Sequence, residues 1–386
     1  MSPATAPGGS RQVVRTTGTP GDAGLRIRRG PAPEPPGPDW CLVRVTMAGI
    51  CGSDLPDPAG DPPAGPEDDA APSDEPLSHA VAVGHEIVGR VEHPGADSGW
   101  AVGDRVVVHP LVACEARGEP PCRSCREGWY GQCRSFWEGG TKWGKSLGFS
   151  RELGGGWGDV VAVHRSMLRA VPDTLPDRTA VLAEPLSVAL SGMRHLAGTS
   201  EEGPLVILGG GTIGLLTAVA AAAMFPDRRR WLIARHPFQA EAARSLGPGV
   251  VEPLLSGPGG GADRLPASPT AVVDAVGSGQ SLSEALAVAG TGGTVLTLGN
   301  PERCDDLRAL WLKRLTLIGH LEHGTLTARD GRRVDSMAEA VRLLTAMPRL
   351  GDVLTTHRYP LEELRTALAV ARHRAEHRAV KVALVP

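Results

Sequence analysis

The sequence predicts a two-domain α/β protein in which a β-rich first domain is followed by a domain built on a doubly wound parallel sheet. At 386 residues, the chain exceeds what one hydrophobic core organises. Residues 25–183 carry short β-branched runs broken by glycine and proline. From residue 205 onward, short apolar runs alternate with helical stretches, a pattern that requires a parallel sheet covered on both faces.

Composition narrows the function classes. A hydrophobic fraction of 41% suits a globular protein, and a net charge of −3 without a long basic block argues against nucleic acid or an anionic membrane as partner. Residues 1–24 are small, polar and rich in Pro and Gly, without the apolar core of a signal peptide, and read as a flexible tail. The apolar run 205–225 could span a bilayer by count, but three consecutive glycines and two threonines interrupt it, so no membrane helix is expected. Seven cysteines, an odd number without a secretion signal, argue against a disulfide framework and for a reducing, cytoplasmic setting.

Taken in order, residues 40–47 alternate as a strand that Ala48 and Gly49 end just before Cys51; Cys41 within it reads as a small buried hydrophobe. Residues 55–77 lack periodicity and read as a long, lid-like surface loop. Residues 81–93 form a strand interrupted by Gly84-His85-Glu86, and 105–109 a second short one. The lobe 110–140 holds four cysteines and almost no aliphatic side chains, so it needs another source of stability. Strand character returns at 155–164, and helical spacing follows from Ala180 to Met193. In the second domain, strands are expected at 205–208, 231–234, 271–275, 295–298 and 315–319, with helices between them. A helix at 336–346 and a strand at 379–385 complete the chain. The expected division is a tail (1–24), a first domain (25–183), a nucleotide domain (184–320) and a C-terminal part completing the first domain (321–386).

Cys122-x2-Cys125-x7-Cys133, preceded by Cys114, supplies four soft ligands, the set that tetrahedral structural zinc prefers. Zinc binding releases on the order of 10–16 kcal/mol in small sites, enough to order such a loop. Cys51, His85 and Glu86 are weaker signals singly, since a histidine beside a strand is more often packed in a core than bound to metal. Together they offer thiolate, imidazole and carboxylate, each beside a glycine at a strand end, and can leave one zinc position open for water or substrate. Glu184 is a fourth candidate, although by residue type alone it is a helix N-terminal carboxylate.

After the strand 205–208, Gly209, Gly211 and Gly214 satisfy GxGxxG between strand and helix, with Thr212 and Ile213 inside the turn. Such a turn lets a pyrophosphate approach a helix N-terminus. NAD-specific sites place an acid at the end of the next strand, about 20 residues on. Here that strand ends Ala234-Arg235-His236, with no acid before Glu241. Ala234 leaves room, and Arg235 can pair with a 2′-phosphate, so NADP(H) is preferred over NAD(H). The alternative is that Arg235 is a solvated surface charge.

In their order along the chain, GICGSD (49–54), GHE (84–86), the four-cysteine lobe, Glu184-Pro185-Leu186-Ser187 and the glycine turn resemble the zinc-dependent medium-chain dehydrogenases/reductases. The match is to the alcohol dehydrogenases of the polyol branch, with sorbitol, threonine and glucose dehydrogenases, and covers roughly residues 25–386. It implies a GroES-like catalytic domain, a Rossmann domain and two zinc ions per chain. Cys51 and His85 would bind the catalytic zinc, with Glu86 or Glu184 as third protein ligand, and Asp54 would orient the site from behind. Ser53 matches the hydroxyl that carries the substrate proton; it is otherwise a turn serine. Two departures stand out. Pro56 occupies the place where many relatives have the next histidine of a proton relay, and the step from Cys114 to Cys122 is wider than usual.

The expected function is hydride transfer between NADP(H) and a small secondary alcohol or ketone, of a polyol, sugar or aminocyclitol by resemblance, in a homodimer or homotetramer. Alternatives are reduction of an iminium or conjugated C=C bond, and a catalytically silent nucleotide-binding partner protein. Trp137, Trp143, Trp157, His320 and Glu322 are candidates for pocket lining, each equally explained by packing or surface.

Overall fold

The structure, a computed structural model, describes residues 9–16, 24–55, 80–137, 146–150, 152–197, 203–257, 265, 268–301, 303–321, 323–327 and 331–386. Most of the expected lid-like loop, with Pro56, Trp143 and Glu322, lies outside the described residues. The chain divides into two compact units, Met1–Glu184 with Thr355–Pro386, and Pro185–Leu354.

The first unit opens with β1 (Ser10–Thr16), β2 (Leu25–Gly30), β3 (Trp40–Gly49), β4 (Ala80–Ala82), β5 (Glu86–His93) and β6 (Arg105–Val108). Two short helices follow, α1 (Arg123–Glu127) and α2 (Arg134–Trp137), then β7 (Val160–His164), β8 (Leu168–Ala170) and α3 (Asp177–Ala180). β3 organises the larger sheet, pairing with β5, β7 and the last strand of the chain. That central position buries both of its faces, apart from the half-buried Thr46 and the exposed Arg44, which pairs with Glu92 at 2.6 Å.

Residues 10–16 correct the expectation of a loose tail: they are the middle strand of a three-stranded sheet, β2-β1-β4. The reason is long-range. Val13 is fully buried, and Arg11, through its backbone N–H and its guanidinium, donates to Asp159 at 2.6 Å, 148 residues further on. β2 likewise shows no apolar alternation, four of its six residues being exposed, so only its pairing with β1 marks it as a strand.

Helix α4 (Ala183–Met193) carries the chain onward. The second unit contains β9 (Leu205–Leu208), α5 (Thr212–Met224), β10 (Arg230–Ala234), α6 (Pro237–Arg244), β11 (Glu252–Leu255), β12 (Ala271–Asp274), α7 (Gly279–Val288), β13 (Thr294–Thr297), α8 (Arg308–Leu312) and β14 (Thr316–Gly319). The six strands form one wholly parallel sheet in the order β11-β10-β9-β12-β13-β14. Numbered within the unit, this is 3-2-1-4-5-6, the dinucleotide-binding topology, with its switch point between β9 and β12. β15 (Thr325–Thr327), β16 (Arg333–Asp335), α9 (Ser336–Ala346) and α10 (Leu350–Leu354) follow. The second unit therefore continues to Leu354, beyond the boundary at 320 read from the sequence. α9 is amphipathic, with Met337, Ala340 and Leu344 fully buried, and such a pattern does not say which core its apolar face joins.

The chain returns to the first unit with β17 (His357–Pro360), α11 (Leu364–Arg372), α12 (Arg374–His377) and β18 (Val382–Val385). The larger sheet then runs β17-β18-β3-β5-β6-β8. Among the described residues, no helix is long and apolar enough to cross a membrane.

Asp159 is mostly buried. Burial raises its pKa, but the Arg11 hydrogen bonds and charge outweigh this and hold it below the ordinary carboxylate range. Asp159→Ala is expected to lose about 1–3 kcal/mol at pH 7, measured by urea unfolding. Because the folded-state pKa is depressed, the Asp159 contribution is full above about pH 4 and fades as pH falls through the depressed value, so mutant and wild type should converge in acid.

Candidate functional site

Cys51 follows β3 with only Ile50 between and lies in extended conformation before a one-turn 3-10 helix, Gly52–Asp54. Asp54 closes this turn onto its own beginning, since its Oδ2 accepts the Cys51 N–H at 3.0 Å. Its Oδ1 faces Nδ1 of His85 at 2.9 Å, and the carboxylate is fully buried. With Nδ1 engaged, Nε2 is the nitrogen left to face a cation, the arrangement by which a carboxylate fixes a ligand imidazole. Burial pulls the His85 pKa down, but the charge and hydrogen bond of Asp54, with Cys51 beside it, outweigh this and hold it well above its ordinary value.

Two glycines make the approach possible. Gly84, before His85, has φ +95°, and a Cβ there would lie 2.3 Å from the Trp157 ring. A Cβ on Gly49 would lie 1.7 Å from Oε2 of Glu86, so only glycine leaves room for that carboxylate. One ligand atom each of Cys51, His85 and Glu86 lies within 4.8 Å of the others.

Glu86 is held by a residue that the sequence reading missed. Lys381, immediately before β18, donates to both carboxylate oxygens at 2.5 and 2.6 Å and to the Ile50 carbonyl at 3.3 Å. Both side chains are at least 97% buried. Burial raises the Glu86 pKa and Lys381 lowers it; the nearby Glu184 raises it again, leaving it above the ordinary value. Glu184 is thus close enough to be felt electrostatically, but it is not one of the three donors within 4.8 Å. A lone lysine in the apolar run AVKVALV was the available signal. Phe149, 39% exposed with its ring 5.8 Å from that of His85, was also missed, and no local pattern marks it.

The cysteine lobe brings Cys114, Cys122, Cys125 and Cys133 together, again within 4.8 Å, and none is in a disulfide. Cys114 and Cys133 are fully buried beside Leu111 and Phe136, with their sulfurs 3.4 Å apart. The Arg134 N–H donates to the Cys122 sulfur at 3.5 Å. Burial raises the Cys122 thiol, but backbone N–H groups of Arg134 and Cys125 more than offset it, and its pKa falls to about 6. Four thiols with amide donors behind them fit a tetrahedral, closed metal site.

The glycine turn divides its work by position. Gly209 has φ +102°, which makes the tight turn at the end of β9. A Cβ on Gly211 would meet nothing within 4 Å, leaving its backbone open to a pyrophosphate at the N-terminus of α5. A Cβ on Gly214 would sit 1.8 Å from the Gly209 carbonyl, so the close packing of helix on turn excludes any side chain. Thr212 is buried and Ile213 half-buried within α5. At the end of β10, Ala234 is buried and Arg235 exposed, with no ion-pair partner among the described residues. Gln239 accepts the backbone N–H groups of Arg235 and His236, each at 3.2 Å, and so holds the turn that follows β10. The His236 ring stacks on Phe238 at 5.7 Å.

Residues 37–173 match the model of the alcohol dehydrogenase GroES-like domain. An uncharacterised zinc-type alcohol dehydrogenase-like protein of Haemophilus influenzae is 35% identical over 197 residues, 50% of this chain and 49% of that protein. Galactitol 1-phosphate 5-dehydrogenase of Escherichia coli K12 is 28% identical over 215 residues, 55% of this chain and 53% of that enzyme. The chain thus spans about half the length of these curated relatives. Among solved structures, an alcohol dehydrogenase of Thermus sp. ATN1 superposes with TM-score 0.70 at 25% identity, covering 97% of this chain and 99% of the other. Residues 37–173 thus carry an alcohol dehydrogenase GroES-like domain, and the chain is similar to zinc-type alcohol dehydrogenases.

Ser53, two residues after Cys51, is exposed. Trp157 is not available to a pocket: it is fully buried and its indole N–H donates to the Gly49 carbonyl at 3.1 Å, so it packs behind the metal group. His320 lies in the second unit, with Nδ1 3.2 Å from Nε2 of His195. Trp137 belongs to α2. Lys381→Met would leave Glu86 buried without its cation and is expected to cost about 3–5 kcal/mol. The double variant Lys381→Met/Glu86→Gln should recover much of it, both read from denaturant unfolding.

Proposed function

We propose that this protein is a zinc-dependent oxidoreductase that transfers hydride between NADP(H) and a secondary alcohol or ketone, with polyols, sugars and aminocyclitols as the substrate class. The observation that carries the reading is the convergence of three unlike donors, Cys51, His85 and Glu86, within 4.8 Å. A thiolate, an oriented imidazole and a carboxylate leave a tetrahedral ion one position for substrate, which a purely structural site does not need. Zinc held there would act as a Lewis acid on the hydroxyl or carbonyl oxygen, and a bound nicotinamide would supply or accept the hydride.

The chain's own groups would do the rest. Asp54 holds His85 in one tautomer and Cys51 in one backbone geometry. Lys381 holds both oxygens of Glu86 in place, beside Glu184 as the other carboxylate available to the ion. The exposed Ser53 hydroxyl would pass the alcohol proton to and from solvent. Gly211 and the N-terminus of α5 would take the pyrophosphate, and Arg235 the 2′-phosphate of NADP(H). The four thiols of the cysteine lobe would hold a second, structural zinc. Retention of Ser53 beside the metal group favours alcohol chemistry over iminium or C=C reduction, and an open donor set favours an enzyme over a silent partner protein. Assembly as a homodimer or homotetramer and residence in the cytoplasm complete the reading.

The test is a panel of polyols, sugars and ketones with each nicotinamide nucleotide, followed at the reduced-nicotinamide absorbance. Turnover with NADP(H) is expected; preference for NAD(H) would contradict the role of Arg235. Arg235→Ala should raise KM for NADP(H) about 10–100-fold, the loss of one charge-assisted hydrogen-bonding partner, and leave KM for NAD(H) nearly unchanged.

A further inference from the structure

The strand β1 reaches the metal group along two routes. Its backbone pairs with β4, and the Val83 N–H, two residues before His85, donates to the Val13 carbonyl at 3.2 Å. The Val13 N–H donates to the Trp157 carbonyl at 2.7 Å, and the Trp157 indole N–H to the Gly49 carbonyl, two residues before Cys51. One strand is therefore tied by short hydrogen-bonded paths to the segments that carry both ligands. The second route is a side chain. Arg15, only 8% exposed, donates from Nη2 to the main-chain carbonyl of Asp54. That carbonyl lies at the C-terminal end of the 3-10 turn, where the backbone acceptors of a helical turn have no partner within the turn.

The Asp54 carboxylate meets both the Cys51 backbone and the His85 ring. Fixing its main chain therefore fixes two ligands together. The buried guanidinium also places a positive charge beside a turn that carries a carboxylate and a thiolate ligand.

We propose that Arg15 is a positioning residue of the metal site: its guanidinium, carried on β1, locks the Asp54 turn in the geometry that binds metal. The inference rests on the zinc reading of Cys51, His85 and Glu86. Residues one step behind a metal typically change its affinity 10–100-fold, and a planar guanidinium is not replaced by an ammonium at a directed hydrogen bond.

The test compares Arg15→Met, Arg15→Lys and Arg11→Gln with wild type in the full-length, zinc-loaded chain, by competition with a chelator and by thermal unfolding of the metal-depleted forms. Arg11→Gln is the control, since it weakens the same strand at Asp159 without touching Asp54. Arg15→Met should release one zinc at about 10–100-fold weaker affinity while the cysteine-lobe zinc stays put. Arg15→Lys should be intermediate, and Arg11→Gln should lose stability with unchanged zinc affinity. Wild-type zinc affinity in Arg15→Met, or an equal loss in Arg11→Gln, overturns the role of Arg15. Should Arg15→Met not fold, wild-type affinity in Arg15→Lys overturns it instead. A wild-type chain that holds only the lobe zinc overturns the zinc reading, and this proposal with it, an outcome distinct from the others.

Discussion

A carboxylate buried with a lysine, Glu86 with Lys381, is the interaction on which the architecture of the first unit depends. Taking two charges out of water carries a penalty of several kcal/mol per ion, and their mutual attraction offsets it only when geometry is good. Here Lys381 meets both oxygens and a backbone carbonyl. The partner arrives from 295 residues away. The first unit is therefore completed by the C-terminal segment, which returns as β18 beside β3, and the Glu86–Lys381 pair joins the two stretches of chain that make up this discontinuous unit.

The same logic extends outward from Asp54. A thiolate, a neighbouring carboxylate and an imidazole would repel or wander if each were held only by its own strand. Asp54 joins the first to the third, glycines at 49 and 84 remove the side chains that would hold the strands apart, and Trp157 fills the space behind. In the second unit, the glycine turn after β9 assigns conformation, open space and close packing to Gly209, Gly211 and Gly214 in turn, the arrangement that a pyrophosphate-binding turn requires.

Much of this was legible in the sequence where the signal is local. The four cysteines, the strand-turn-helix around Gly209 and the apolar strands of the parallel sheet are written in spacing and composition, and the fold class followed from them. Three features were not legible, for a shared reason. β1 lies in a polar, Pro- and Gly-rich stretch and becomes a strand through β2, β4 and Asp159. Lys381 reads as an interruption in an apolar strand until Glu86 is placed beside it. Phe149 is a single aromatic whose meaning lies in its distance to His85. Each depends on a partner far along the chain, which periodicity and propensity do not encode.

The central claim is that Cys51, His85 and Glu86 hold a metal independently of the cysteine lobe. Elemental analysis of the purified wild-type chain and of Cys51→Ser tests it most directly. The account expects two zinc ions per chain in the wild type, one for each donor group, and one in the variant with the fold intact. A single zinc in both proteins, held by the lobe, would contradict it.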